Sequence, residues 1–231
     1  MIDKILKELK SKKNPVQAAH LSGFFKTGKG QYGEGDIFWG LKVPVTREIV
    51  KKFKEASLED IQELLNSKVH EHRLTGLLIL VEKYKKGENK KEIYNFYLKN
   101  TKNINNWDLV DLTAPNIVGK FILENKKERK ILYSLVKSKN LWERRISILS
   151  TFTLLRDKEY EDVLNVSEML LDDKHDLIHK AVGWMLRELG KRDKKVEVEF
   201  LEKYYKIMPR TMLRYSLEKF SPKEKEFFMS K

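Results

Sequence analysis

The 231-residue sequence predicts an all-α protein, an α-solenoid of HEAT-like helix pairs, curved, with a concave basic groove. Three observations carry that expectation: a helical hydrophobic period along most of the chain, no convincing run with period two, and an internal repeat long enough for one helix pair. Leu74, Leu77, Leu78 and Val81 share one helical face, as do Ile146, Leu149, Ser150 and Thr153, with Leu154 and Leu155 carrying the stripe onward. Helix starts are legible as well. Ser57-Leu-Glu-Asp60 resembles a capping box, and Ser221-Pro-Lys-Glu224 is one, with Pro222 at the first helical position.

The repeat emerges when the helices are aligned. Segments beginning at Arg73, Asp111, Arg145, Lys180 and Arg214 follow one another at intervals of 38, 34, 35 and 34 residues. Each follows a polar turn and precedes a second amphipathic helix, the arrangement of a stacked helix-pair repeat. No linker divides the chain, so residues 1–231 are expected to form a single α-solenoid domain. The first position of the repeat reads Arg, Asp, Arg, Lys, Arg. If these positions share a face, Asp111 is a lone carboxylate among cations. It either relieves their repulsion by pairing with a neighbour or has chemical work to do there.

Composition excludes several classes. An apolar share of 41% is enough for a core, which argues against wholesale disorder. The longest uninterrupted apolar run, Leu77–Val81, is far too short for a membrane span. With no Cys, disulfide frameworks, thiolate metal sites and cysteine nucleophiles are excluded together. The opening MIDKILKELK is amphipathic and lacks an apolar targeting segment, so a cytoplasmic protein is expected. Of the 47 basic residues ten are Arg, and the formal charge is +13. Abundant Lys and Glu without Cys would suit a hyperthermophile, but charges of both signs do not explain a surplus of one. The surplus points to a polyanion, most simply nucleic acid, against the alternative of a generic basic surface.

Residues 23–40 break the helical pattern and hold six of the eleven glycines. Gly28-Lys-Gly-Gln-Tyr-Gly33 formally matches a dinucleotide fingerprint, but no strand precedes it and no helix opens from it, as that chemistry requires. A loop that meets phosphate through backbone amides, Lys26 and Lys29 is one expectation, and a flexible connector is the other. His175-Asp-Leu-Ile-His179 has two-His metal spacing but no third ligand, and its acidic neighbours equally suit a helix N-terminus. His70 and His72 read as solvated turn residues ahead of a helix. Trp142 reads as core. Trp107 and Asp111, four apart, share a helix face. Trp107 stands in a polar setting, and Trp184 follows Gly183, which would leave room beside its indole. Both rings are candidates for stacking on a sugar or base rather than for the core.

Together these residues resemble the AlkD-type DNA alkylation-repair glycosylases, built from HEAT-like repeats. Gly30-QYGEGDIFWGLKVPVTR, Asn106-Trp-Asp-Leu-Val-Asp111, and Leu141-WERR-Ile146 with Lys180-AVGWMLRELGK carry the resemblance, which runs from about Ala18 to Phe220. It implies a glycosylase that removes N3- or N7-alkylated purines, such as 3-methyladenine and 7-methylguanine, from double-stranded DNA without metal or cofactor. It makes Asp111 the catalytic carboxylate and Trp107 and Trp184 the walls around the lesion's deoxyribose. Arg145 becomes a phosphate contact, with Arg144 beside it. Lys180 and Lys29 are further candidate phosphate contacts. Phe24 and Phe25 stand where a polar aromatic is expected. The resemblance also implies that the base stays largely stacked. A monomer with no membrane association is expected. The alternative is a non-catalytic HEAT-like scaffold that binds nucleic acid or protein.

Overall fold

A computed structural model describes residues 1–87 and 89–230, and its described residues form an all-helical chain without a β-strand. The chain divides into two compact units, residues 1–113 and 114–231. Among the described residues no helix is long and apolar enough to cross a membrane.

The first unit holds α1 (Ile2–Ser11), α2 (Pro15–Phe24), α3 (Val43–Lys52), α4 (Leu58–Leu65), α5 (His70–Lys86), α6 (Lys90–Lys99) and α7 (Trp107–Thr113). The helix α5 is its centre: α3, α4, α6 and α7 all pack on it. The stripe Leu74, Leu77, Leu78 and Val81 is buried there, as its spacing requires. Ser57 and Asp60 form the reciprocal capping box that starts α4. The glycine-rich segment between α2 and α3 is pinned at its far end. Its Ile37 makes a lone parallel bridge to Val69, accepting from the His70 N–H and donating to the Lys68 carbonyl. Gly40 follows with φ of 86°, and a Cβ there would meet the Asn14 carbonyl at the start of α2. No residue of α2 is buried, so its apolar side chains lie along the surface of the unit.

The second unit opens with a π-turn, Pro115–Gly119, and continues through α8 (Lys120–Glu124), α9 (Lys130–Leu135), α10 (Leu141–Arg156), α11 (Glu161–Met169), α12 (Asp176–Gly190), α13 (Lys194–Tyr204), α14 (Arg210–Ser216) and α15 (Pro222–Met229). Here α10 packs on α12 and α12 on α14, while α11 and α13 join them as alternate partners. The repeat segments read from the sequence at Arg145, Lys180 and Arg214 lie on these three helices, and those at Arg73 and Asp111 lie on α5 and α7. Ser221 and Glu224 cap α15 as the sequence indicates.

Three local expectations are corrected. His70 and His72 are not solvated turn residues but lie in the first turn of α5, 2% and 7% exposed. Arg73, at the first repeat position, is also buried and forms an ion pair with Asp36 at 2.7 Å. Gly183 does not leave room beside Trp184. A Cβ there would strike the Met212 carbonyl and the Tyr215 side chain, so its task is the close approach of α12 to α14.

Candidate functional site

The polar run before α7 is a helix start. Asn106 is fully buried, and its side-chain oxygen accepts from the Trp107 N–H at 2.8 Å. Asp108 accepts from the Leu109 N–H with one oxygen at 2.9 Å and faces His70 Nε2 with the other at 2.8 Å. Leu109 and Val110 are buried completely, which turns the opposite face of α7 outward. Trp107 and Asp111 occupy that face, both half-buried.

They line one cavity of about 440 Å³. Its walls are mainly apolar: Phe24, Phe25, Phe38, Leu41 and Leu74 line it beside Trp107. Phe25 stacks on Trp107 at 5.2 Å between centroids and on Phe38 at 5.0 Å. Phe24, 58% exposed, meets both Phe25 and Trp107 edge-on at the end of α2. Three carboxylates belong to the wall: Asp108, Glu71 and Asp111. Asp108 is taken by the start of α7 and by His70. Glu71, 1% exposed, gathers the backbone N–H groups of Trp39, Gly40 and Leu41 at 2.7–3.1 Å. The third is Asp111. Its negative charge, together with the larger effect of burial, pushes the nearby Tyr97 phenol above its ordinary range.

Under this wall lies a buried polar cluster that local sequence patterns do not announce. His70 stands between Asp108 and Asp36, and Asp36 also receives Arg73 and the Asn105 amide. Burial alone would depress His70, but the charge of Asp108 and its hydrogen bond to Nε2, with the Asp36 carboxylate 3.6 Å from Nδ1, outweigh it and raise the imidazole to about 9. Two residues on, no carboxylate among the described residues pairs with His72. Burial, with Lys13 and Arg73, lowers it to about 4. It bonds Ser67 Oγ at 2.9 Å and meets the edge of Trp39. In the glycine-rich loop the amides of Gly28 and Gly30 are engaged by the Gln31 and Glu34 side chains. Lys29 is exposed there.

The remaining sequence candidates lie in the second unit. Arg145 is 5% exposed and donates to the Leu177 carbonyl at 2.5 Å. Arg144 reaches Asp173 at 2.6 Å and the carbonyls of Ser138 and Lys139 at 3.0 and 3.1 Å. Both guanidiniums thus join α10 to the segment that starts α12. Lys180 pairs with Asp176 one turn earlier at 2.8 Å. Trp184 is half-buried, with Phe152 6.1 Å away between centroids, whereas Trp142 is 7% exposed and belongs to the core. His175 is the N-cap of α12, its Nδ1 accepting from the Leu177 N–H, and His179 Nε2 donates to the Asp173 carbonyl. Both histidines therefore build the helix start. Among the described residues no three His, Asp or Glu side chains gather as a metal site requires.

Comparison with known proteins gives a concordant family. Residues 5–220 match the family model described as DNA alkylation repair enzyme. A search of curated proteins finds no significant match. Among solved structures, a protein described as a predicted DNA alkylation repair enzyme from Enterococcus faecalis superposes with a TM-score of 0.70 at 16% identity, covering 91% of this chain and 97% of its own. At that identity the likeness concerns the fold. The family match spans nearly the whole sequence, so the chain belongs to the DNA alkylation repair enzyme family.

Proposed function

We propose that the protein is a DNA glycosylase that hydrolyses the N-glycosidic bond of N3- or N7-alkylated purines in duplex DNA. One observation supports this above the others: in a chain of this family, Asp111 lies beside Trp107 on the wall of an aromatic-lined cavity. An alkylated purine carries a positive charge and leaves with the bonding pair as a neutral base, so it needs little acid assistance. Positive charge then accumulates on the sugar as an oxocarbenium ion. Glycoside hydrolysis ordinarily uses two carboxylates, one of them to protonate the leaving group. Here one suffices, Asp111, which stabilises the cation and orients the water that adds at C1′ and releases a proton. A carboxylate about 4 Å from a unit charge gains roughly 4 kcal/mol at an effective dielectric of 20, or about three orders of magnitude in rate. The indole of Trp107 adds attraction between its ring face and the sugar cation.

Arg144, Arg145, Lys180 and Lys29 are the proposed phosphate contacts. The two guanidiniums are already oriented by carbonyls and Asp173, so little side-chain freedom remains to be lost on binding. We place the protein in the cytoplasm as a monomer acting on damaged DNA. Purified protein incubated with methylated duplex DNA should release 7-methylguanine or 3-methyladenine and leave abasic sites. Tight duplex binding with no base released by wild-type protein would instead favour a non-catalytic DNA-binding scaffold.

A further inference from the structure

His70 contacts the cavity wall at Asp108, Phe25 and Phe38. It is the first residue of α5, is 2% exposed and lines the same cavity as Trp107 and Asp111. Two routes join it to them. Through Nε2 it holds Asp108, the second residue of α7, at 2.8 Å. Through its ring it stacks on Phe38 at 4.6 Å and contacts Phe25 at 5.1 Å, and Phe25 stacks on Trp107. The helix α7 has only seven residues, and a helix that short is held by its surroundings rather than by its own hydrogen bonds.

We propose that His70 is a positioning residue for base excision: held between Asp108 and Asp36 and stacked on Phe38, it fixes the first turn of α7 and so aims the Trp107 ring and the Asp111 carboxylate. This rests on the excision function proposed above. The charged groups that face His70 are Asp108 from α7, Asp36 from the glycine-rich segment and Arg73 from its own helix. With His70 protonated, two cations meet two carboxylates in a buried space. Loss of its proton leaves an excess negative charge beneath Asp111 and loosens the clamp. Burial opposes the charged ring, but the Asp108 charge and hydrogen bond, with the Asp36 carboxylate 3.6 Å from Nδ1, hold it protonated up to about 9.

The test compares wild type with His70→Gln, His70→Asn and His70→Ala. The amide N–H of Gln falls near the position of Nε2 and can still hold Asp108, whereas that of Asn falls near Nδ1 and cannot. Single-turnover excision of 7-methylguanine should fall about a hundredfold in His70→Asn and His70→Ala, the scale of a misplacement of about 1 Å, and about tenfold or less in His70→Gln. Affinity for an undamaged duplex should stay within about threefold of wild type, roughly 0.65 kcal/mol. Wild-type excision, corrected for uncatalysed release, should decline as pH rises through about 9, and in Asp108→Asn that limb should move to lower pH. Equal rates in all variants, parallel loss of rate and duplex affinity, or an alkaline limb that Asp108→Asn leaves in place overturns the proposal. If the Asn and Ala variants fail to fold, His70→Gln and Asp108→Asn carry the comparison. Excision itself is separated by the indole N–H resonance of Trp107, which needs no substrate. If wild type releases no base, the excision function fails. Positioning by His70 is then decided by whether that resonance titrates near pH 9 and moves in His70→Gln while that of Trp142 stays; no movement overturns it.

Discussion

Replacing Asp111 by Asn keeps the shape of the side chain and removes its charge. Single-turnover excision should fall by about two to three orders of magnitude, the worth of a full negative charge about 4 Å from an oxocarbenium ion. Duplex affinity should hold or rise, because one negative charge leaves a surface that meets phosphate. Opposite movements of rate and affinity separate chemistry from misfolding; a change of less than about threefold in rate would return Asp111 to a charge-balancing role. The indoles are read by thermal melts. Trp107→Ala and Trp184→Ala, at half-buried positions, should lose less stability than Trp142→Ala, whose buried side chain should cost about 3–5 kcal/mol. The two histidines of α5 oppose one another in pH dependence. His70, raised to about 9, contributes stability that is complete below about 6.5 and is lost as pH rises through 9. His72, lowered to about 4, contributes stability present above about 6.5 and lost as pH falls through 4. Melting temperature against pH should therefore lose part of its acid limb in His72→Gln and part of its alkaline limb in His70→Gln.

The elements show which parts of the sequence are self-announcing. The periodicity of α5 and α10 and the capping residues at Ser57 and Ser221 are local patterns, and each marks a helix that forms. The pair Trp107–Asp111 is equally local, since four residues along one helix fix a shared face. The polar face of α5 is not. His70 finds Asp108 across 38 positions and Glu71 finds the Trp39 amide across 32, so in sequence these residues look like an ordinary solvated helix start. Gly183 misleads for the same reason, because the backbone it must admit belongs to α14. Gly183→Ala should therefore destabilise the protein by about 1–3 kcal/mol, measurable in urea. In α13, Glu197 is 2% exposed, one of its oxygens has no hydrogen-bond partner, and burial raises it to about 8 despite Lys194 and Arg187. A carboxyl kept neutral in the fold contributes stability that is complete below about 4.5 and is lost as pH rises through 8. Glu197→Gln should raise stability at pH 7 by about 1–3 kcal/mol and flatten that slope.

At the scale of the molecule, the formal charge of +13 is the property most directly tied to a partner. If cationic side chains neutralise backbone phosphates, log affinity for duplex DNA should fall linearly with log salt, by about 0.9 for each phosphate contacted. A slope near zero would remove phosphate contacts from the account of binding. Arg145→Ala and Lys29→Ala should each reduce the slope, and Lys195→Ala, at an exposed position outside the proposed contacts, should not. Fold class was legible because helical period and repeat length are read along the chain. The cavity was not, since Phe24, Phe25, Phe38 and Leu74 come from segments whose meeting no spacing encodes.

The Glu71 carboxylate gives the glycine-rich segment an unexpected timetable. Three successive amide protons, those of Trp39, Gly40 and Leu41, end on a side chain anchored in α5. Their exchange with deuterium should follow the opening of that helix and not the fast local fraying expected of a loop. Glu71→Gln, which keeps the size but weakens acceptance, should bring all three into rapid exchange while the amides of Leu77 and Leu80 remain slow.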